Sequence, residues 1–348
     1  MSLEWIVQSI NRNIDMVNDL RGVYSAAMTT HQLAPANGIQ ICYDSLGPEQ
    51  SPTILLIMGL GMQLVAWPDE FCQALLDQGF RVIRFDNRDV GHSSKIHWSR
   101  KANLPLAMLG TLFGIRAKAP YLLDDMANDA IGLLDFLQIP QAHIVGVSMG
   151  GMIAQTVAAH YPQRVLSLTS IMSSSGNRKV SRGKLSVLGK LIKRPPKEND
   201  IEAQINHLMH LFGVIGSPGF ATDQASLRQH LELGLRRSSY SLGMAHQLLA
   251  ILASGDRRRQ LAKITAPTLV IHGEADPLVP VAAGHDTAQH IKGAQLHVIP
   301  GMGHDLPPGV QALLLPLISE FCRAHGDTMT TASSNTLPPA QNAVQSHT

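Results

Sequence analysis

The sequence predicts an α/β fold in which a mostly parallel central sheet is flanked by helices. Short apolar segments typical of buried strands alternate with segments of helical periodicity over much of the chain. Several of these strands lead directly into glycine-containing loops, where an open α/β sheet places its functional residues. The strands that support the prediction are 53–57, 142–145, 165–172, 267–272 and 295–300.

The loop Gly146–Gly150 is the strongest indication of a catalytic site. It has the sequence Gly-x-Ser-x-Gly and lies between the strand 142–145 and a predicted helix. In this arrangement a sharp, strained turn raises the serine hydroxyl above the sheet, which makes Ser148 a candidate nucleophile. Glycine suits both ends of the turn because it lets the strand and the helix approach closely. The pentapeptide alone also fits a strand-to-helix turn with a purely conformational role.

Two later loops contain the other groups that a nucleophilic serine requires. A serine hydroxyl is a weak nucleophile at neutral pH, so a histidine must accept its proton and later return it to the leaving group. Asp276 follows the strand 267–272 and His304 follows the strand 295–300, in the chain order serine, acid, histidine. We therefore predict Ser148, Asp276 and His304 as the catalytic residues.

The acid has two competitors, Glu274 and Asp305. Glu274 follows its strand too closely for the loop to turn over the sheet. Asp305 adjoins His304 in sequence, so its side chain should be directed elsewhere. Asp276 is the preferred carboxylate, with the role of fixing the imidazole tautomer and stabilising the imidazolium.

A tetrahedral intermediate also needs two backbone N–H donors for its oxyanion. The residue after the nucleophile, Met149, supplies one of them. The second should come from the loop after the strand 53–57, where we select Leu60 between Gly59 and Gly61. We expect these two glycines to lie beside the substrate; for Gly61, a turn without a catalytic role is the alternative.

These segments together resemble the α/β-hydrolase superfamily over roughly residues 38–323. Met58–Gly59, Trp67–Phe71 and Arg84–Ser93 are similar to segments of the aclacinomycin methylesterase group. The resemblance implies the α/β-hydrolase fold more firmly than it implies a substrate. Many relatives have His-Gly where this chain has Met58–Gly59. Dehalogenases and epoxide hydrolases of this fold use an aspartate nucleophile, so Ser148 argues against both activities.

Composition and charge are those of an ordinary soluble enzyme. The 348 residues, 45% hydrophobic and 16% charged, are enough for one catalytic domain with an insertion. A formal net charge of +2 implies no strong overall electrostatic steering. The three separate cysteines, Cys42, Cys72 and Cys322, suit a reducing compartment better than a disulfide framework.

We expect a cytoplasmic protein that needs neither a cofactor nor a metal. The first residues lack the basic and then apolar order of a signal peptide, and no apolar run reaches the ~18 residues needed to span a bilayer. The sixteen histidines are scattered without ligand spacing, so His304 is the one given a chemical role.

Four regions are predicted along the chain. Residues 1–36 form an N-terminal extension with helical periodicity, either packed on the body or serving as a dimer or membrane-surface contact. Residues 37–172 and 260–325 form the catalytic core. Residues 173–259, after the sixth strand, form a helical cap, and the family resemblance implies that such a cap covers the nucleophile. Residues 326–348, rich in polar residues and proline, form a disordered tail.

Apolar side chains in two regions are candidates for the substrate pocket. Phe212 and Met244 belong to the predicted cap, whose own core is the alternative place for such residues. Leu109 and Phe113 belong to the apolar segment 104–115. This segment either forms a wall of an acyl pocket or packs against the cap.

The first part of the predicted cap, residues 178–197, contains eight basic residues and no acidic one, with apolar residues interleaved. A basic amphipathic segment is able to lie on an anionic membrane surface, although such a segment is more often a solvated face. Nucleic acid is the less favoured partner, because the segment lacks interleaved aromatic residues and any recognisable binding module.

The resulting prediction is a carboxylesterase-like serine hydrolase that cleaves esters with an apolar portion through an acyl-Ser148 intermediate. Its partner is a small-molecule ester; peripheral membrane contact and the oligomeric state are left open. A carbon–carbon bond or amide hydrolase, or a cofactor-free perhydrolase, would use the same triad. The non-enzymatic alternative, a hydrolase-fold binding protein, need not retain the three groups in this order.

Overall fold

The computed structural model describes residues 31–326 apart from 101, 182, 184–186, 188 and 191–195. Within these residues, the chain forms one eight-stranded sheet. Its strands are β1 (Gln32–Ala36), β2 (Ile39–Leu46), β3 (Thr53–Ile57), β4 (Arg81–Phe85), β5 (Ala142–Val147), β6 (Val165–Ile171), β7 (Thr268–Gly273) and β8 (Gln295–Ile299). Their spatial order is β1-β2-β4-β3-β5-β6-β7-β8, with β2 antiparallel to both β1 and β4 and all other pairs parallel. The predicted mostly parallel sheet is confirmed.

The sheet begins earlier than the boundary predicted at residue 37. β1 pairs with β2 through a hairpin whose two-residue turn is Asn37 (φ 49°) and Gly38 (φ 77°). Asn-Gly favours this turn because both residues tolerate positive φ, and the resulting twist matches that of the paired strands. Residues 32–36 therefore belong to the sheet, and the expectation that they belong to a helical extension is wrong.

Helices cover both faces of the sheet and fill the long connection between β6 and β7. They are α1 (Asp69–Leu76), α2 (Leu104–Leu112), α3 (Leu123–Phe136), α4 (Met149–His160), α5 (Ile201–Ile215), α6 (Gln224–Arg237), α7 (Ser241–Ser254), α8 (Arg258–Leu261), α9 (Val281–Gln289) and α10 (Pro308–Ala324). In the described part of the chain, no helix is both long enough and apolar enough to cross a bilayer.

The central strand β3 shows how the core is divided between the two faces. Its five residues are all buried. Leu55 and Ile57 pack into a cluster with residues of α3 and α4, whereas Ile54 and Leu56 pack into a second cluster with residues of α1 and α10. Side chains alternate between the faces of a strand, so a strand covered on both faces is apolar throughout.

The connection between β6 and β7 contains α5 to α8 and, in its described residues, no strand. We refer to α5, α6 and α7 as the cap helices. Several side chains of these helices line a cavity that also contains Ser148, so they lie over the carboxyl end of β5. Residues 1–30, 327–348 and much of the basic segment 178–197 lie outside the described residues, and the predictions for them remain predictions.

Candidate active site

Ser148 lies in the turn between β5 and α4, in a backbone conformation that residues other than glycine rarely adopt. Its φ is 55° and its ψ is −118°. A Cβ on Gly146 would lie 2.2 Å from the carbonyl oxygen of Gly150, and a Cβ on Gly150 would lie 2.1 Å from that of Ile57. Both positions therefore require glycine, and the packing around the turn maintains its strain. The geometry is that of a nucleophile elbow.

The structure brings together the three residues predicted to be catalytic, which lie in three separate loops. Ser148 Oγ lies 2.9 Å from His304 Nε2. Asp276 Oδ2 lies 2.6 Å from His304 Nδ1. Nδ1 therefore carries a proton that it donates to the carboxylate, which leaves Nε2 free to accept the serine proton.

The carboxylate of Asp276 is held on both of its oxygens. While Oδ2 binds His304, Oδ1 accepts hydrogen bonds from the backbone N–H groups of Leu278 (2.9 Å) and Val279 (2.8 Å). His272, which the sequence argument passed over, donates from Nε2 to the Val279 carbonyl at 2.8 Å. Burial lowers the pKa of His272, so the neutral ring serves as a support for this loop.

The two competing carboxylates occupy other positions. Glu274 is exposed. Asp305 accepts a hydrogen bond of 2.5 Å from the hydroxyl of Ser217, just beyond the end of α5. Burial raises the pKa of Asp305. Of the three candidate acids, Asp276 is the one in contact with the His304 ring.

The loop that carries His304 is attached to the cap as well as to the sheet. The backbone N–H of His304 donates to the carbonyl of Ile215, the last residue of α5, at 2.7 Å. The N–H of Gly303 donates to Ser217 Oγ at 2.8 Å, and a Cβ on Gly303 would lie 2.3 Å from the Gly216 oxygen. This contact was not predicted, because residues so distant in sequence leave no local pattern.

The loop after β3 lies directly against Ser148. A Cβ on Gly59 would lie 3.2 Å from the Cβ of Ser148. Leu60 and Gly61 follow in the same loop, and all three residues line the cavity. Met149 is the first residue of α4, where a backbone N–H has no partner within its own helix. The two predicted oxyanion donors thus belong to the loop after β3 and to the first residue of α4.

A buried glutamine of the cap holds this loop in place. Gln247 of α7 is completely buried. Its Oε1 accepts a hydrogen bond from the N–H of Gly61 at 2.8 Å, and its Nε2 donates to the carbonyl of Arg88 at 2.9 Å. Gln247 therefore connects a cap helix to the loop that contains the Leu60 N–H, a contact that the sequence argument missed.

The segment 86–93 joins the core to the cap through two buried carboxylates. Asp86 Oδ2 lies 2.7 Å from Arg237 Nη1 and accepts a hydrogen bond from the N–H of His92. Asp89 Oδ2 lies 3.0 Å from His246 Nδ1 and accepts a hydrogen bond of 2.8 Å from the hydroxyl of Tyr121. Burial raises the pKa of Tyr121, so this hydroxyl stays a donor. In the sequence, this segment is notable only for its resemblance to the methylesterase group, and the two attachments to the cap have no local pattern.

Ser148 and His304 open into a mainly apolar cavity of about 1930 Å³. Three predicted pocket residues, Leu109, Phe212 and Met244, are among those that line it. Phe113 is not, and its 77% exposure makes the prediction that it belongs to the pocket wrong. The reason is local: α2 ends at Leu112, and the chain reverses at Gly114 (φ 78°), where the N–H of Ile115 bonds back to the carbonyl of Gly110.

The chain belongs to the α/β hydrolase fold family, whose model matches residues 52–307. It is 29% identical over 301 residues to rhodomycin D methylesterase DnrP of Streptomyces peucetius. This alignment covers 81% of this chain and 94% of that protein. It is 28% identical over 265 residues to 3-oxoadipate enol-lactonase 2 of Acinetobacter baylyi, covering 76% and 86% of the two chains. The resemblance to the methylesterase group is thereby confirmed.

Solved structures agree on the fold. A meta-cleavage product hydrolase from Pseudomonas fluorescens IP01 matches with a TM-score of 0.65 and 21% identity, covering 84% of this chain and 97% of that one. The enol-lactonase from Burkholderia xenovorans LB400 matches with a TM-score of 0.61 and 23% identity, covering 84% and 100%. At these identities the likeness shows the architecture alone.

Proposed function

We propose that this protein is a serine carboxylesterase that hydrolyses esters with an apolar portion. The observation that carries the proposal is the hydrogen-bonded series Ser148, His304 and Asp276 at the edge of a large apolar cavity. The similarity to a methylesterase and an enol-lactonase, both named for ester cleavage, supports the same bond type.

The geometry accounts for each step of such a reaction. Ser148 Oγ attacks the ester carbonyl while His304 Nε2 accepts its proton, and the N–H groups of Leu60 and Met149 stabilise the oxyanion. The tetrahedral intermediate then collapses, and His304 returns the proton to the departing alcohol. A water molecule, deprotonated by His304, cleaves the acyl-Ser148 bond and regenerates the enzyme. Asp276 stabilises the imidazolium in both halves of the reaction, and none of these steps calls for a cofactor.

The cavity supports the apolar part of the proposal. Apolar walls favour the burial of a hydrophobic acyl or alcohol group, since each buried methylene contributes about 0.8 kcal/mol. Phe212 and Met244 come from the cap helices and Leu109 from α2, so the proposed pocket is closed by elements outside the sheet.

A carbon–carbon bond hydrolase is the second candidate. The chain is 30% identical over 272 residues to 2-hydroxymuconate semialdehyde hydrolase of Pseudomonas sp. strain CF600, covering 77% of this chain and 86% of that protein. The same triad serves both reaction types. Comparison of the rates on an aryl ester and on a dienoate ketone of similar size distinguishes them.

The proposal is tested by labelling with a fluorophosphonate probe and by hydrolysis of p-nitrophenyl esters. We expect Ser148→Ala to abolish both the labelling and the turnover. Ser181→Ala is the matched control, because Ser181 also lines the cavity but bonds to Ser174 instead of His304. Labelling or parental turnover in Ser148→Ala would refute the assignment of the nucleophile.

We also propose a cytoplasmic location. The three cysteines, Cys42, Cys72 and Cys322, are buried and free. Burial raises the pKa of each thiol to about 12, which keeps the sulfur protonated and unreactive. Fractionation of cells that express the full chain tests the location.

A further inference from the structure

The helix α2 and the turn after it expose an unusual number of apolar side chains. Such side chains are normal when scattered, but a contiguous group indicates an interaction surface. We define the α2 patch by four residues with high fractional exposure: Leu106 (63%), Leu109 (53%), Phe113 (77%) and Ile115 (63%).

The helix that carries the α2 patch also lines the active-site cavity. Met108 and Thr111 of α2 line the cavity, and Leu109 both lines it and is half exposed. Arg178, the first residue of the basic segment 178–197, donates a hydrogen bond to the carbonyl of Thr111 and lines the cavity as well. The start of the basic segment is therefore attached to the helix that carries the patch.

Two stretches of the sequence, one containing α2 and one beginning at Arg178, are strongly basic. Residues 90–123, which include α2, contain five basic residues and no acidic one, and residues 178–197 contain eight and none. These two segments thus hold thirteen of the chain's 28 basic residues, although the formal net charge of the whole protein is only +2. Arg116 and Lys118 follow the patch directly and are exposed, as is Lys179.

We propose that the α2 patch and its flanking basic residues dock the cavity mouth on an anionic lipid surface. Apolar side chains of such a surface helix enter the boundary between headgroups and acyl chains, while lysine and arginine bind anionic headgroups. A symmetric contact with a second copy would bring like charges together, because a two-fold interface pairs a surface with itself. The charge pattern therefore favours lipid over a second copy of the chain.

Docking would bring an ester dissolved in the lipid next to the entrance of the cavity. This consequence rests on the proposed function, whereas the docking itself does not. The binding experiment therefore uses the full chain with Ser148→Ala, so that hydrolysis does not alter the vesicles. Loss of ester hydrolysis by the parent protein would refute the proposed function and leave the docking measurement unaffected.

The test is flotation with vesicles of phosphatidylcholine alone and of an equimolar mixture with phosphatidylglycerol, at low and at high salt. We expect binding to the anionic vesicles that falls at high salt, since screening weakens the charge contribution. Leu106→Gln with Ile115→Gln, and separately Arg116→Ser with Lys118→Ser, should each lower the partition coefficient by about tenfold or more.

A matched control removes the same kind of side chain elsewhere. Leu33 on β1 is 55% exposed and Phe136 on α3 is 46% exposed, so Leu33→Gln with Phe136→Gln should bind anionic vesicles as the parent does. Circular dichroism of each variant shows that it is folded. Absence of binding to anionic vesicles, or equal losses in the patch and control variants, would overturn the proposal. So would concentration-dependent dimerisation in sedimentation velocity that the patch substitutions abolish, together with no binding to vesicles.

Discussion

The two sides of the active-site cavity are held by different kinds of contact. On the sheet side, Ser148 directly follows β5 and Gly59 lies just after β3, and these two strands are paired. The backbone around the turn leaves no space for a side chain at Gly146 or Gly150. On the cap side, a few buried polar groups attach separate helices: Arg237 to Asp86, His246 to Asp89, and Gln247 to the loop at Gly61. The position of Ser148 is thus determined by backbone packing, whereas buried side-chain contacts contribute to the attachment of the cap.

This difference indicates how the two sides should respond to mutation. Substitution of a reacting group on the sheet side should remove activity while the fold persists. Substitution of a cap attachment should instead change stability or the alignment of the loop, because the loss of such a side chain leaves its buried partners unsatisfied.

The largest effect is expected at Asp276. Asp276→Asn should lower kcat by about 10⁴-fold, because an amide no longer holds the His304 ring in the tautomer that accepts the serine proton. Steady-state kinetics on a p-nitrophenyl ester measures the loss. Asp305→Asn is the matched control: Asp305 is a neighbouring buried carboxylate that bonds to Ser217, so kcat should change far less. Equal losses in the two variants would move the acid role away from Asp276.

The next largest effect is expected at Arg237, in stability. Arg237→Leu should lower the free energy of unfolding by about 3–5 kcal/mol, because it leaves the buried carboxylate of Asp86 without its cation. Urea denaturation measures this change. Arg236→Leu, the adjacent substitution in α6, removes an exposed pair with Glu232 and should cost about 0.5 kcal/mol or less. A small effect at Arg237 would show that the cap is held mainly by apolar packing.

The smallest effect is expected at Gln247, a positioning residue for the oxyanion loop. Gln247→Leu should lower kcat about tenfold with little change in KM, since the Leu60 N–H would be less well aligned with the developing oxyanion. Measuring kcat and KM separately is informative, because a general disordering of the pocket would weaken substrate binding and raise KM instead. An unchanged kcat in a folded variant would show that the sheet alone positions the loop.

Local sequence was sufficient to select three side chains that meet at the ends of strands. Ser148, Asp276 and His304 each follow a predicted strand, and parallel strands present their carboxyl ends at one edge. The structure accordingly places these side chains in contact. Leu109, Phe212 and Met244, which were predicted to line a pocket, do line the cavity. The prediction for Phe113 is wrong, because the turn at Gly114 directs the chain away from the cavity.

The error at β1 came from giving helical periodicity precedence over a turn signal. Residues 32–36 were assigned to a helical extension, although Asn37 and Gly38 provide the two-residue turn that hairpins favour. This hairpin could have been recognised from the sequence alone.

The sequence by itself determined the fold class, the nucleophile elbow and the chain order of the three catalytic candidates, because strand periodicity and glycine-bounded turns are local properties. Only the tertiary structure decided which side chains attach the cap: Arg237 reaches Asp86 and Gln247 reaches Gly61 across long stretches of sequence. It also decided that the α2 patch is exposed and that Leu109 of this patch lines the cavity. An apolar residue has the same local pattern whether it is buried or exposed, and only packing against neighbouring elements distinguishes the two.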